Sequence, residues 1–173
     1  MKHQSDILAL KYRPTDFKDL IGQEYLVETI QKSVELNKIP NAYIFTGIRG
    51  VGKTTTARIV AKMLNCTAFD QNNKPDLSNC DQAKAISEDR HPDVIEIDAA
   101  SNTSVENARE IIENVKYNPV LGKYKVYIID EVHMLSKSAF NALLKTLEEP
   151  PPHSKFIFAT TEISKVPITI LSR

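Results

Sequence analysis

The chain has 173 residues, 42% of them hydrophobic and 25% charged, and its 22 basic residues balance its 22 acidic ones. This composition is typical of one soluble globular domain, and no stretch approaches the roughly 18 apolar residues of a membrane-spanning helix. The even charge argues against a domain that grips nucleic acid by itself, since such domains are usually basic. Two cysteines and no recognisable signal peptide predict a cytoplasmic protein.

Apolar patterning in the first half of the chain predicts a helix, a strand and a second helix. Residues 24–37 have the spacing of an amphipathic helix. The short apolar run 42–47 ends in glycine and precedes a helical segment at 53–65. The polar stretch 67–92 shows no regular period, and we expect it to be an insertion or a loop-rich module.

The second half continues the alternation of strands and helices. Residues 93–100, 125–130 and 155–161 have the pattern of strands, and 105–115 has one apolar helical face. Ser136 can cap a further helix, which "EEPPP" ends because proline lacks the N–H that a continuing helix needs. Alternating strands and helices predict an α/β fold, in which helices cover a parallel sheet.

The segment "GIRGVGKT" has the spacing G-x-x-x-x-G-K-[ST] of a phosphate-binding loop. Glycines let backbone N–H groups wrap a phosphate, a lysine ammonium reaches the β- and γ-phosphates, and a hydroxyl holds Mg²⁺. A glycine-rich turn with a chance lysine is the alternative. The predicted strand before the segment and the helix after it favour the phosphate site, because the helix dipole then faces the anion. The predicted nucleotide-binding residues are Gly47, Gly50, Val51, Gly52, Lys53, Thr54 and Thr55.

Two adjacent carboxylates follow the predicted strand at 125–130. Asp130 would bind Mg²⁺ through its water shell, together with Thr54, and Glu131 would orient and deprotonate the attacking water. A solvated turn is the alternative for this pair. Thr161 closes the next strand and is placed to contact a γ-phosphate or the water, although β-propensity explains a threonine there equally well. For His133 we recognise no nucleophile that it could serve.

Several stretches together resemble the gamma/tau subunits of the bacterial DNA polymerase III clamp loader, a family of AAA+ ATPases. They are "KYRPTDFKDLIGQE", "GIRGVGKTTTARIVAKMLNC", "DVIEIDAASN", "YKVYIIDEVHMLSKSAFNALLKTLEEPPPH" and "FATTEISKVPITILSR". The resemblance spans nearly the whole chain and is weakest at 67–92. It implies a P-loop NTPase sheet that hydrolyses ATP with Mg²⁺ inside a pentameric assembly. The implied partners are delta, delta-prime and further gamma/tau subunits, the sliding clamp and primed DNA, with no membrane.

The same resemblance assigns residues near the two ends of the chain. It places Tyr12, Arg13 and Pro14 with Ile21 on the adenine and ribose side of the pocket. The strand-like stretch "PITILSR" would carry Arg173 into the ATP site of the adjacent subunit, although a plain surface arginine is the alternative. Residues 1–173 would then be one nucleotide-binding domain, with lid and collar domains expected downstream. A fragment without the lid is expected to hold nucleotide loosely and to hydrolyse it weakly.

The stretch 66–92 departs from the family's small zinc module. Cys66 and Cys80 fit the first and third ligand positions of that module, by the same resemblance. Structural zinc requires four cysteine or histidine ligands, so we predict no zinc here and, at most, a partial site. The other two positions hold Leu77 and Ala83, with His91 and Asp76 as candidate substitutes.

Two other functions compete with a clamp-loader ATPase. A non-hydrolysing scaffold subunit of the delta-prime type would keep the fold and lose the phosphate chemistry, which the intact set Lys53, Thr54, Asp130 and Glu131 argues against. Another AAA+ machine, such as a branch-migration helicase or a protein unfoldase, would lack "ALLKTLEEPPP" in this form.

Overall fold

A parallel sheet forms the centre of the protein in the computed structural model, which describes residues 14, 16, 19–20, 24–72, 74–101 and 105–172. In this part of the chain the sheet has four strands in the order β1-β4-β3-β2, and every neighbouring pair is parallel. The strands are β1 (Ala42–Thr46), β2 (Val94–Asp98), β3 (Lys125–Asp130) and β4 (Ser154–Thr160).

Helices connect the strands and cover both faces of the sheet. They are α1 (Glu24–Glu35), α2 (Lys53–Asn65), α3 (Asp81–Ser87), α4 (Val105–Val115), α5 (Lys137–Glu148) and α6 (Ile168–Leu171). Short 3-10 turns occupy Leu77–Asn79, Val132–Met134 and Ile163–Lys165. The predicted α/β architecture is confirmed, and the predicted strands differ from the observed ones by two residues at most at their ends.

The central strands are buried on both faces because successive side chains point to opposite sides of the sheet. Val126 and Ile128 of β3 pack against α1, α2 and α3. Tyr127 and Ile129 of the same strand pack against α4, α5 and α6, where the Tyr127 ring stacks on Phe156 of β4. Among the described residues no helix is both long and apolar enough to cross a membrane.

The stretch 67–92 is more ordered than its polar sequence predicts. Asp76 caps the turn Leu77–Asn79 by accepting the N–H groups of Ser78 and Asn79, and α3 follows directly. Leu77, Cys80 and Ala83 recur every three residues and bury themselves in the core beside α2. The expected loop-rich module therefore contains a short helix in its second half.

The segment that ends at Leu171 is helical, and the prediction of a strand-like stretch there is wrong. Pro167 precedes α6 with φ −57°, an angle that its ring favours and that suits the start of a helix. Ile170 is buried in the core beside α4 and α5, whereas Ile168 is exposed. Residues two apart share one face of a strand, so the burial of Ile170 and the exposure of Ile168 fit a helical turn rather than a strand.

A buried carboxylate, Asp93, holds the loop that leads into β3. Its side chain is 0% exposed, and it accepts the backbone N–H groups of Val120, Leu121 and Gly122, each at 2.7 Å. Burial raises the pKa of this carboxyl, but the three N–H groups outweigh burial and hold the pKa below the ordinary value of an aspartate. The ionised group therefore stabilises the fold above the ordinary pKa, and this contribution is lost as the pH falls through the folded-state pKa.

Replacing Asp93 by asparagine is expected to lower the free energy of unfolding by about 2 kcal/mol at neutral pH. The amide keeps one acceptor oxygen but turns its own N–H₂ group toward backbone donors. Urea unfolding at neutral and acid pH measures the effect, and the variant should lose less stability on acidification than the parent. The control is Asp70→Asn, because the exposed Asp70 also accepts two backbone N–H groups. Equal losses in the two variants would show that burial of Asp93 adds nothing.

Candidate active site

Three loops meet at one edge of the sheet and line a large cavity. Because β4 lies between β1 and β3 in a parallel sheet, the loops that follow these strands leave at the same edge. The cavity has a volume of about 1290 Å³, enough for a nucleotide-sized ligand. Of the predicted site residues, those that line it are Pro14, Gly50, Val51, Gly52, Lys53, Thr54, Thr55, Asp130, Glu131 and Thr161.

The loop between β1 and α2 has the backbone of an anion cradle. Gly50 and Gly52 have φ of 86° and 89°, a left-handed conformation in which other residues are strained. Lys53 begins α2 and folds back, so that its Nζ donates to the carbonyls of Gly47 at 3.0 Å and Ile48 at 3.1 Å. The Lys53 side chain is therefore held across the loop, at the N-terminus of a helix where anions are favoured.

Thr54 at the start of α2 and Asp130 at the end of β3 bring a hydroxyl and a carboxylate together. The Thr54 Oγ1 donates to Asp130 Oδ2 at 2.6 Å, and the other carboxylate oxygen accepts the N–H of Glu131 at 2.9 Å. Mg²⁺ prefers hard oxygen ligands and retains several waters. This pair of oxygen donors therefore fits a Mg²⁺ ion.

Glu131 has a left-handed backbone and a carboxylate that Thr161, just after β4, holds in place. Its φ and ψ are both 46°. This left-handed conformation is uncommon for a residue other than glycine, and residues that adopt it cluster at functional sites. The Oε2 atom accepts the N–H of Thr161 at 3.1 Å and the Thr161 hydroxyl at 2.9 Å. Thr161 directly follows β4 and contacts Glu131, and a phosphate contact by Thr161 stays a prediction.

Two further polar side chains lie at this edge, and neither had been assigned a role from the sequence. His133 has a 6% exposed side chain, and its Nδ1 lies 2.9 Å from Thr160 Oγ1 and 3.3 Å from Glu131 Oε2. Asp98 ends β2 in register with Asp130 and lines the same cavity. The available signal was weak in both cases, a histidine two residues after a carboxylate and an acidic residue at the end of a strand.

The predicted residues of the adenine side and the arginine finger are mostly untested. Tyr12, Arg13, Ile21 and Arg173 lie outside the described residues, and their roles stay predictions. Pro14 lines the cavity, and so do Asp19 and Leu20.

Both cysteines are buried free thiols in the core beside α2. Burial raises the pKa of Cys66 to about 12, and its Sγ donates to the carbonyl of Ala68 at 3.1 Å. Burial acts in the same direction on Cys80, but hydrogen bonds with the backbone of Ala83 and with Cys66 outweigh it and lower that pKa. Among the residues described, no group of three or more His, Cys, Asp or Glu side chains could hold a metal ion. The expected lack of zinc stays a prediction.

Comparisons with known proteins identify the family. The family model described as "DNA polymerase III, delta subunit" matches residues 22–173. The chain belongs to this family.

Individual relatives agree with the predicted resemblance to gamma/tau subunits and confirm it. The chain is 52% identical over 167 residues to the DNA polymerase III subunit tau/gamma of Haemophilus influenzae, covering 96% of this chain and 24% of the relative. It is also 52% identical over 167 residues to subunit tau of Escherichia coli, covering 96% and 26%. Subunit tau of Bacillus subtilis is 51% identical over 162 residues, covering 94% and 28%. The chain therefore spans about a quarter of the length of these relatives.

Solved structures confirm the predicted α/β fold. The RuvB Holliday junction branch migration motor of Thermotoga maritima aligns with TM-score 0.62 at 19% identity, covering 94% of this chain and 46% of that one. A DNA polymerase III gamma subunit-related protein of the same organism aligns with TM-score 0.54 at 24% identity, covering 87% and 43%. Identities this low show a shared fold and nothing further.

Proposed function

We propose that this chain is the nucleotide-binding part of an ATP-hydrolysing subunit of the DNA polymerase III clamp loader, acting in the cytoplasm. The observation that carries the proposal is the 2.6 Å contact of Thr54 with Asp130, which joins the loop that carries Lys53 to the strand end that carries Glu131. The gamma/tau names of relatives about half identical to this chain support the choice of assembly. The subunit would help to load the sliding clamp onto primed DNA, together with delta, delta-prime and further gamma/tau copies.

Each group in the cavity has a task that its chemistry suits. Lys53 and the backbone N–H groups of the loop hold the phosphates, and Thr54 and Asp130 hold Mg²⁺ through oxygen and water. When bound, Mg²⁺ neutralises charge on the β- and γ-phosphates. Glu131 accepts a proton from the attacking water, which Thr161 helps to place. The adenine and ribose side is assigned to Pro14 together with Tyr12, Arg13 and Ile21.

The site is proposed to be shared between neighbouring subunits through Arg173. A guanidinium is always charged and planar, so it can contact two phosphate oxygens as charge develops in the transition state.

Replacing Arg173 by alanine in every copy is expected to lower kcat of the assembled full-length protein about 10²-fold, the usual cost of one lost transition-state donor. Nucleotide affinity should change little, because the finger acts on the neighbour's transition state. Steady-state phosphate release and equilibrium nucleotide binding measure the two effects. Arg90→Ala is the matched control, since Arg90 is an exposed arginine that pairs with Glu88. Parent turnover in the Arg173→Ala assembly would remove this arginine from catalysis.

The proposed function is tested by ATP turnover of the full-length protein in its assembly, with and without sliding clamp and primed DNA. We expect hydrolysis that clamp and primed DNA accelerate together. Nucleotide binding without hydrolysis would instead favour a scaffold subunit. A rate of hydrolysis that neither the sliding clamp nor primed DNA changes would favour a different AAA+ machine.

A further inference from the structure

His133 contacts the carboxylate of Glu131 from the short turn Val132–Met134, which follows β3. Its side chain is 6% exposed, although the surrounding cavity is open to solvent. The Nδ1 atom is 2.9 Å from Thr160 Oγ1, at the end of β4, and 3.3 Å from Glu131 Oε2. One ring nitrogen therefore contacts the ends of two adjacent strands.

The contacts of Nδ1 decide which nitrogen carries the hydrogen of a neutral ring. A carboxylate oxygen can only accept, so a lone pair on Nδ1 facing Oε2 would be repelled. Thr160 Oγ1 already accepts the N–H of Glu162 at 3.1 Å and has a second lone pair for another donor. A hydrogen on Nδ1 therefore suits both neighbours.

The other ring nitrogen lies near an exposed carboxylate. Nε2 is 3.6 Å from Glu162 Oε1, longer than a hydrogen bond but close enough for attraction. Glu162 is in turn held by Lys165 at 2.8 Å. The ring therefore lies between two carboxylates, and the shorter contact is the one to Glu131.

Donors surround one oxygen of the Glu131 carboxylate. Oε2 accepts from the N–H and the hydroxyl of Thr161 and faces Nδ1 of His133. Among the residues described, every contact found for this carboxylate falls on Oε2. That arrangement leaves Oε1 as the oxygen available to a water in the cavity.

We propose that His133 is a positioning residue that anchors Oε2 of Glu131, so that Oε1 accepts the proton of the attacking water. The inference rests on the proposed ATP hydrolysis. It adds which oxygen of Glu131 accepts the proton and which residue anchors the other oxygen. In that step the water oxygen bonds to the γ-phosphorus, and the bond from this phosphorus to the β–γ bridging oxygen breaks. The water proton passes to Oε1, and ADP leaves.

Positioning of this kind matters because the base must meet the attacking water in a productive geometry, and contacts with Thr161 and His133 hold the Glu131 carboxylate. A misplaced base costs rate without costing affinity, since the phosphates are bound by the loop at Lys53. His133 should therefore act on kcat and leave nucleotide binding alone.

The test compares three variants of the assembled full-length protein. His133→Ala removes both ring nitrogens, His133→Asn keeps an amide donor near the position of Nδ1, and His133→Gln places its amide near Nε2. We expect alanine and glutamine to lower kcat for ATP about 10- to 100-fold, as loss of a supporting polar contact does at other sites. Asparagine should recover most of that loss. The Kd for Mg·ATP should stay within about twofold in all three, because no phosphate contact changes.

Two further variants separate positioning from a general loss of stability. His153→Ala removes another partly buried imidazole, one that contacts the Val115 carbonyl at the opposite edge of the sheet. It should leave kcat unchanged. In a Glu131→Gln background, His133→Ala should have no further effect, since the group that it positions no longer accepts a proton.

The outcomes also distinguish this inference from the function on which it rests. Equal losses of kcat in the parent and Glu131→Gln backgrounds, or no recovery with asparagine, would overturn the positioning role and leave ATP hydrolysis standing. A parent assembly that binds ATP and does not hydrolyse it would overturn the proposed function and this inference together.

Discussion

Replacing Lys53 by alanine is expected to abolish ATP hydrolysis by the assembled full-length protein, with a loss of roughly 10⁴-fold in kcat/KM. In the proposed function the ammonium is the main point charge for the γ-phosphate, and loop carbonyls already hold it in place, so it would need little reorganisation on phosphate binding. Lys53 is only 9% exposed, and charge interactions at a buried position are screened less than at the surface. Nucleotide affinity should therefore fall together with turnover.

The matched control for this variant is Lys62→Ala. Lys62 lies on the same helix and is 4% exposed, but it does not line the cavity. Its replacement should change the free energy of unfolding while the folded protein keeps its affinity for Mg·ATP. Titration with a fluorescent ATP analogue reports affinity, and phosphate release reports turnover. Unchanged affinity in Lys53→Ala would refute the assignment of the loop as the phosphate site.

Replacing Glu131 by glutamine is expected to lower kcat about 10³-fold and to leave nucleotide affinity within about threefold of the parent. Glutamine matches the shape of glutamate, and its carbonyl oxygen can accept both donors of Thr161. It cannot take a proton from water. Binding should therefore persist while the chemical step slows.

The control here is Glu149→Gln, which neutralises an exposed carboxylate just after α5. It should keep the parent kcat, so any effect of general charge loss is removed from the comparison. If the assembled Glu131→Gln protein hydrolyses ATP at the parent rate, another group accepts the proton.

Elements with a strong local signal were predictable from the sequence. The strand β3 carries four consecutive apolar residues, 126–129, which a parallel strand buried on both faces requires. The helix α5 begins where Ser136 Oγ accepts the N–H of Ala139 at 3.2 Å, as the capping pattern predicts. In both elements the residues that decide the structure lie within one short segment.

The helices α3 and α6 were not predictable because long-range contacts form them. Each has fewer than two full turns of regular pattern, too little for a periodic signal. Cys80 and Ala83 are buried against α2, and Ile170 is buried beside α4 and α5. Tertiary burial, which spacing alone does not reveal, decides these two segments.

The cavity also combines residues that a local motif reveals with residues whose surroundings depend on long-range contacts. Lys53 and Thr54 belong to one motif and Asp130 and Glu131 to another, so each pair could be recognised in its own segment. The environment of His133 depends on β4 lying beside β3, which brings Thr160 and Thr161 next to the turn. Strand order is a property of the whole sheet, and no pattern near His133 encodes it.

A single-turnover experiment tests the central claim, that ATP is bound and split in the cavity between the loop of Lys53 and the carboxylate of Glu131. Less than one equivalent of γ-labelled ATP is mixed with Mg²⁺ and the assembled full-length protein, and bound ATP and free phosphate are followed in time. The parent should convert bound ATP to phosphate, Glu131→Gln should retain intact ATP, and Lys53→Ala should neither bind nor split it. Parent-like conversion by both variants would contradict the account and place hydrolysis elsewhere.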